Sequence, residues 1–304
     1  MSRRERGWPP VPEALPVAVV DNHTHFPVGA DDDPGVREGS DPLTMAEQLE
    51  RAAAVGVDRM VQVGCDLDTL APSVALAEEH PEIVAALAIH PNEAPLHAGV
   101  LEVAPDGLNP ALAPRHETSL ADAVVRVAEL ARHERVRAIG ETGLDYFRGG
   151  ERAREVQRAA FREHVAIAKE LGLALQIHDR DAHEDVVALL LADGAPERTV
   201  FHCFSGDVGL ARACAEHGWY VSVAGPVTFK ANDDLRAAVR EVPRELLLVE
   251  TDAPYLTPAP HRGRPNAPYL LPLTVRRLAE ETGVPLADLC HSLTANTEAV
   301  YGTW

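Results

Sequence analysis

Eight short apolar runs recur along the chain: VAVVDNH (17–23), DRMVQVG (58–64), EIVAALAIH (82–90), RVRAIGE (135–141), LALQIH (173–178), TVFHCFS (199–205), WYVSVAG (219–225) and LLLVETD (246–252). Most are continuous rather than alternating, which is the pattern of parallel strands covered on both faces. Between them the apolar residues fall three and four apart, as in TMAEQLERAAAVG, SLADAVVRVAELARH and AHEDVVALLLADG, and each such stretch predicts an amphipathic helix. Gly56, Gly172, Gly194 and Gly218 stand where helix C-caps belong, and Thr44 with Glu47 three residues on reads as a capping box. Strand and helix alternating eight times predicts an α/β fold, a (β/α)8 TIM-type barrel over residues 17–304 as one domain. Pro9, Pro10, Pro12 and Pro16 break up the first sixteen residues, which are expected to form a flexible N-terminal tail.

Two segments leave the alternation. Residues 92–118 carry four prolines and two glycines without periodicity and follow the third strand, so a loop insertion is expected there, with His97 and His116 in solvent. A proline-rich stretch, 255–272, follows the eighth strand. At 304 residues, with 46% hydrophobic and 25% charged positions, the chain has the make-up of a globular protein. No run reaches the roughly 18 apolar residues of a membrane span, and the prolines interrupt any signal-peptide core, so cytoplasmic residence without membrane contact is expected. Cys65, Cys203, Cys214 and Cys290 form no C-x-x-C pair and are expected to be buried thiols. A formal charge of −19 argues against long-footprint binding to duplex DNA, because phosphate contacts need Lys and Arg. It leaves room for recognition of an end or a single strand by a metal-bearing pocket, since bound ions can be the largest local charges in a site.

The candidate chemistry sits where the apolar runs end. His23 and His25 close the first run, Glu141 the fourth, His178 the fifth, His202 follows the start of the sixth, and Asp252 ends the eighth. Two histidines two apart on a strand share one face. Side chains this distant in sequence converge where parallel barrel strands present their C-terminal ends, the face on which barrel active sites lie. Four imidazoles and two carboxylates suit two divalent ions such as Zn2+, Mn2+ or, less readily, Mg2+. Paired ions of that kind clamp a phosphate or polarise a carbonyl.

The segments DNHTH, IHPNEA, AIGETGLDYF, QIHDRDA, FHCFSG, GPVTFK, ETDAPYLTP and HRGRPNAP, from residue 21 to about 268, resemble the TatD family of metal-dependent deoxyribonucleases within the amidohydrolase superfamily. The resemblance implies one metal on His23, His25, Glu141 and Asp252 and a second on Glu141, His178 and His202. It implies that Asp252 also handles the proton of the attacking water and that His90 lies beside the scissile phosphate. Arg180, Lys230 and Arg262 fall in segments similar to phosphate-contacting ones, and Tyr146 and Phe147 are placed to stack on a base. The implied activity is 3′–5′ exonuclease hydrolysis of DNA, with single-strand preference, by a two-metal hydroxide mechanism in a monomer or homodimer. Two other readings keep the ligand set: an amidohydrolase-type ester or amide hydrolase, such as an aminoacyl-tRNA deacylase, and a non-catalytic metal-binding scaffold. Glu141, where many superfamily members carry a carboxylated lysine, favours the first reading. The insertion at 92–118 and the extra imidazole of His183, expected at the surface, depart from the family's compact pattern.

Overall fold

A computed structural model describes residues 7–28 and 41–304. In chain order its elements are β1 (Val19–Thr24), α1 (Met45–Ala54), β2 (Val57–Gly64), α2 (Leu67–Glu79), β3 (Ile83–Leu87), α3 (Ala94–His97), α4 (Leu120–Leu130), β4 (Val136–Asp145), α5 (Glu151–Leu171) and β5 (Ala174–Arg180). There follow α6 (His183–Asp193), β6 (Thr199–Phe201), α7 (Val208–His217), β7 (Tyr220–Val223), α8 (Asp233–Val239), β8 (Leu247–Val249), α9 (Leu271–Thr282) and α10 (Leu286–Tyr301). The eight strands pair in sequence order, β1 through β8, each followed by helix, which is the (β/α)8 arrangement. Every residue of β1, β3, β4's last eight positions, β6 and β8 is buried, as the continuous apolar runs require. Among the described residues no helix is long and apolar enough to cross a membrane.

By compactness the chain divides into two units, residues 1–62 with 206–303, and residues 63–205 with Trp304. In the first unit β7 pairs with β8 in parallel, and β1 meets the chain just after β8 through the Thr24–Ala253 bridge. Asn22 strengthens that seam, donating from Nδ2 to the Val249 carbonyl at 2.8 Å. Thr44 caps α1 as expected, its hydroxyl accepting from the Glu47 amide while Glu47 accepts from the Thr44 amide.

Over its described part, the segment expected to be a flexible tail is hydrogen-bonded to the rest of its unit. Residues 7–16 are strapped to the end of the unit's chain: Tyr269 donates to the Pro9 carbonyl at 2.7 Å and Arg264 to the carbonyls of Gly7 and Trp8 at 2.8 and 2.5 Å. The Leu15 amide donates to Val55 at 2.9 Å, and the Leu15 side chain is buried. Prolines deny this segment its own helix or ladder but leave its carbonyls free to accept, and Arg and Tyr side chains supply the donors. Residues 1–6 of that call lie outside the described residues.

The second unit carries β3 to β6, with α5 packed on β4. Here β4 runs four residues past the predicted end, to Asp145, pairing with β5 through Asp145 opposite Arg180. The extension requires Gly143: its φ is 139°, and a Cβ there would lie 2.1 Å from the His178 carbonyl oxygen. β3, β6, β7 and β8 stop short of the predicted ends, so His90, His202 and Asp252 stand in the loops after β3, β6 and β8. The 92–118 segment is less irregular than expected. It holds α3, a 3-10 turn at Pro114–Glu117, and Glu102, whose Oε2 accepts from the Ala153 amide at 2.9 Å in the first turn of α5.

Candidate metal centre

Each unit gathers donor groups at the ends of its strands. In the first, the Nε2 atoms of His23 and His25 face each other at 3.2 Å. Oδ1 of Asp252 lies 3.5 Å from His25 Nε2 and 3.9 Å from His23 Nε2. The spacing follows from β1: His23 and His25 are i and i+2, so they project from one face. Asp252 reaches them because the chain turns there with φ of 52°, a left-handed conformation that few non-glycine residues hold. Its amide donates to the His23 carbonyl and the His25 amide donates to Ala253, pinning the turn to β1. Two imidazole nitrogens and a carboxylate oxygen facing one another repel unless protons or a cation lie between them, so this donor set fits a divalent ion.

Behind it, Asp21 is fully buried and accepts from the Thr251 amide at 2.9 Å and the Thr251 hydroxyl at 2.5 Å. Burial pushes its carboxyl up to about 7, against the lowering effect of those bonds. Glu250, also buried, accepts from Ser222 at 2.5 Å.

In the second unit three imidazoles converge on one oxygen. Glu141 Oε1 lies 2.6 Å from His178 Nδ1, 2.8 Å from His202 Nε2 and 3.3 Å from His90 Nε2. Cys65 Sγ approaches the other oxygen, Oε2, at 3.6 Å. One carboxylate oxygen has two lone pairs, so three nitrogens around it exceed what hydrogen bonding satisfies, and a cation shared among them fits. Burial raises the Glu141 carboxyl, but the charges of His202 and His90 and the bonds from His178 and His202 outweigh it and hold it well below the usual range. His90 accepts from the Asn92 amide on Nδ1 at 3.0 Å, so in the neutral ring Nε2 carries the proton and points into the cluster.

Sequence reasoning missed Asp145, Asn92 and Cys65. Glu141, Gly143 and Asp145 alternate onto one face of β4, and Asp145 Oδ2 takes up His178 Nε2 at 3.2 Å and Asn92 Nδ2 at 3.1 Å. The alternation in GETGLD could have found Asp145; nothing in the spacing of Cys65 marks it. Burial raises the Asp145 carboxyl, but its bonds with His178 and Asn92 prevail and bring it to about 2. His178, lowered by burial but raised by Asp145 and Glu141, stands at about 9.

The expected substrate-binding residues are distributed over both units. Arg180 is exposed at the end of β5 with its guanidinium 3.9 Å above the Phe147 ring. Arg262, exposed, lies 4.0 Å above Phe229, and neighbouring Lys230 is exposed. Tyr146 has Arg154 at 4.5 Å over one ring face, and its hydroxyl is bound by Arg158 at 2.8 Å and by Asp185. His183 is half-buried and bonds Asp179 at 2.7 Å.

The expectation of solvated His97 and His116 is overturned. The His97 residue is 6% exposed and the His116 side chain 2% exposed, because Glu93, the Thr118 carbonyl and the Ala113 amide offer them polar partners inside the segment.

The profile of TatD-related DNases matches residues 20–302. The chain is 40% identical over 288 residues to the metal-dependent hydrolase TatD of Mycobacterium tuberculosis, covering 93% of this chain and 98% of that one. It is 35% identical to the metal-dependent hydrolase YabD of Bacillus subtilis, over 84% and 92% of the two chains. Among solved structures, the TatD homologue YJJV of Escherichia coli superposes with a TM-score of 0.78 at 26% identity, covering 94% of this chain and 98% of that one.

Proposed function

Because the chain belongs to the TatD-related DNase family, whose matched members are named metal-dependent hydrolases, we propose that it hydrolyses phosphodiester bonds of DNA. The substrate end is a 3′ terminus, preferably single-stranded. The observation that carries this reading is the crowding of three imidazole nitrogens on Glu141 Oε1. One divalent ion is assigned to His23, His25 and Asp252 and another to Glu141, His178 and His202. Such ions supply Lewis acidity toward phosphoryl oxygens and acidify water. Zn2+ and Mn2+ suit the imidazole-rich sets better than Mg2+.

The chain's own groups do the rest. Asp252 accepts the proton of the attacking water, its Oδ1 lying on the side of the imidazole nitrogens. His90 donates from Nε2, which lies 3.3 Å from Glu141 Oε1, to a phosphate oxygen. Arg180 and Arg262, each laid flat on an aromatic ring, are pre-organised to pair with the negative phosphates of a single strand. With Tyr146 faced by Arg154, Phe147 and Phe229 are the rings that hold these guanidinium groups.

A 5′-labelled single-stranded oligonucleotide tests the proposal. Metal-stripped protein leaves it intact, restored Mn2+, Zn2+ or Mg2+ yields a ladder shortening from the 3′ end, and Glu141→Ala yields none while keeping the far-UV circular dichroism of the parent. An intact oligonucleotide with folded, metal-loaded protein would reject the phosphodiester reading and turn the search to esters, misacylated tRNA first.

A further inference from the structure

We propose that Glu93, His97 and His116 form an additional metal site, separate from the centre above, that takes a Zn2+-class ion and ties the 92–118 segment shut. One ligand atom from each of the three lies within 4.8 Å of the others. The local chain explains how they meet. Glu93 precedes α3 and His97 ends it, four residues on, so both side chains occupy one face of a single helical turn. The 3-10 turn at Pro114–Glu117 brings in His116, whose ring centroid lies 5.0 Å from that of His97.

His97 is the residue that calls for a ligand. Its Nδ1 lies 2.9 Å from the Thr118 carbonyl, which can only accept, so Nδ1 carries the ring proton. That leaves Nε2 as a bare lone pair, buried and without a hydrogen-bond partner. Buried acceptors are rarely left so, and an imidazole oriented through its other nitrogen by a backbone carbonyl is the arrangement in which histidine binds metals. Glu93 faces the same point as an anion: burial raises its carboxyl, but Arg115 and His116 hold it below the usual range. Arg115 grips Glu93 at 2.7 and 3.2 Å and is itself held by Asp68 at 3.2 Å, the outer support that ligating carboxylates receive.

His116 completes the set at a cost. Its Nδ1 accepts from the Ala113 amide, so Nε2 now donates its proton to Glu93 at 2.8 Å. Coordination through Nε2 moves that proton to Nδ1 by way of solvent and releases the Ala113 amide. Two imidazole nitrogens and one carboxylate oxygen select a borderline ion over Ca2+ or Mg2+, which prefer all-oxygen shells.

The test counts Zn2+ by elemental analysis after dialysis of the full chain, alongside digestion of the 98–113 segment by a protease. Relative to the parent, His97→Ala and Glu93→Gln are expected each to hold one equivalent less, whatever the parent's total. Zn2+ is expected to slow cleavage between residues 98 and 113 at least tenfold in the parent and not in either variant. Equal metal content in parent and variants, or cleavage indifferent to Zn2+, would overturn the proposal. Should His97→Ala not fold, His97→Gln, which keeps an amide for the Thr118 carbonyl, replaces it. Because the readout is a difference at a site away from Glu141, a failed nuclease assay leaves this result standing, and the converse holds.

Discussion

Asp145 holds the outer nitrogen of His178 at 3.2 Å while the inner nitrogen meets Glu141 at 2.6 Å. A carboxylate placed behind a ligating imidazole fixes its tautomer and aim, and losing such a partner weakens metal binding about 10–100-fold. Asp145→Asn is therefore expected to loosen the Glu141 ion by that factor in a chelator competition, with the fold unchanged by circular dichroism. His164, fully buried, accepts the Ile89 amide on Nε2 and meets Thr142 with Nδ1, so it folds as a neutral ring, and burial lowers it to about 4. The unfolded chain binds that proton near 6.5, so stability is full above that pH and falls as pH drops from about 6.5 through about 4. The loss amounts to on the order of 3 kcal/mol. Urea midpoints across this window should fall less in His164→Gln than in the parent; parallel curves would refute the assignment. At this scale the candidate ligands His23, His25, Glu141, His178, His202 and Asp252 were legible as candidates because each closes or follows an apolar run. Asp145 and the buried His97 were not, because partners that lie elsewhere in the chain decide what a lone Asp or His does.

Elements are set by shorter rules, and these break in specific ways. Thr44→Ala removes a side chain that accepts the Glu47 amide at 3.3 Å, and should cost about 1 kcal/mol, read from the urea midpoint. Gly143→Ala is a different class of change. Its methyl would meet the His178 carbonyl oxygen at 2.1 Å in a backbone conformation foreign to alanine, so β4 and β5 must separate. A loss above roughly 2 kcal/mol, with metal lost from the Glu141 set, is expected; a variant as stable as the parent would show that the β4 extension is not needed. Apolar runs and helix spacing located the elements, but their ends moved. β4 grew because GETGLD, polar by composition, pairs with β5 through its backbone, a contact that hydropathy does not report. β6 and β8 shrank to three residues because the polar tails of their runs serve as loops, which carry His202 and Asp252.

For the whole molecule, ligand groups that repel one another without an ion make stability a function of metal concentration. An ion that binds only the folded chain adds about 2.7 kcal/mol at one hundred times its dissociation constant. The melting temperature of chelator-stripped protein should climb with added Mn2+ or Zn2+, and the climb should shrink in Glu141→Ala; flat melts would contradict the assigned ligands. The formal charge of −19 sets the same scale for partners, since only local cations such as Arg180 and Arg262 offer a polyanion a foothold. The N-terminal strap was the part of the first unit that composition concealed. Its prolines are stiff and its carbonyls are held by Arg264, Tyr269 and Arg276, more than 250 residues further on. A force applied at the N-terminus would therefore be borne first by the joint between the strap and the region from 264 to 276. In a single-molecule pulling trace, β1 would yield only after that joint had torn.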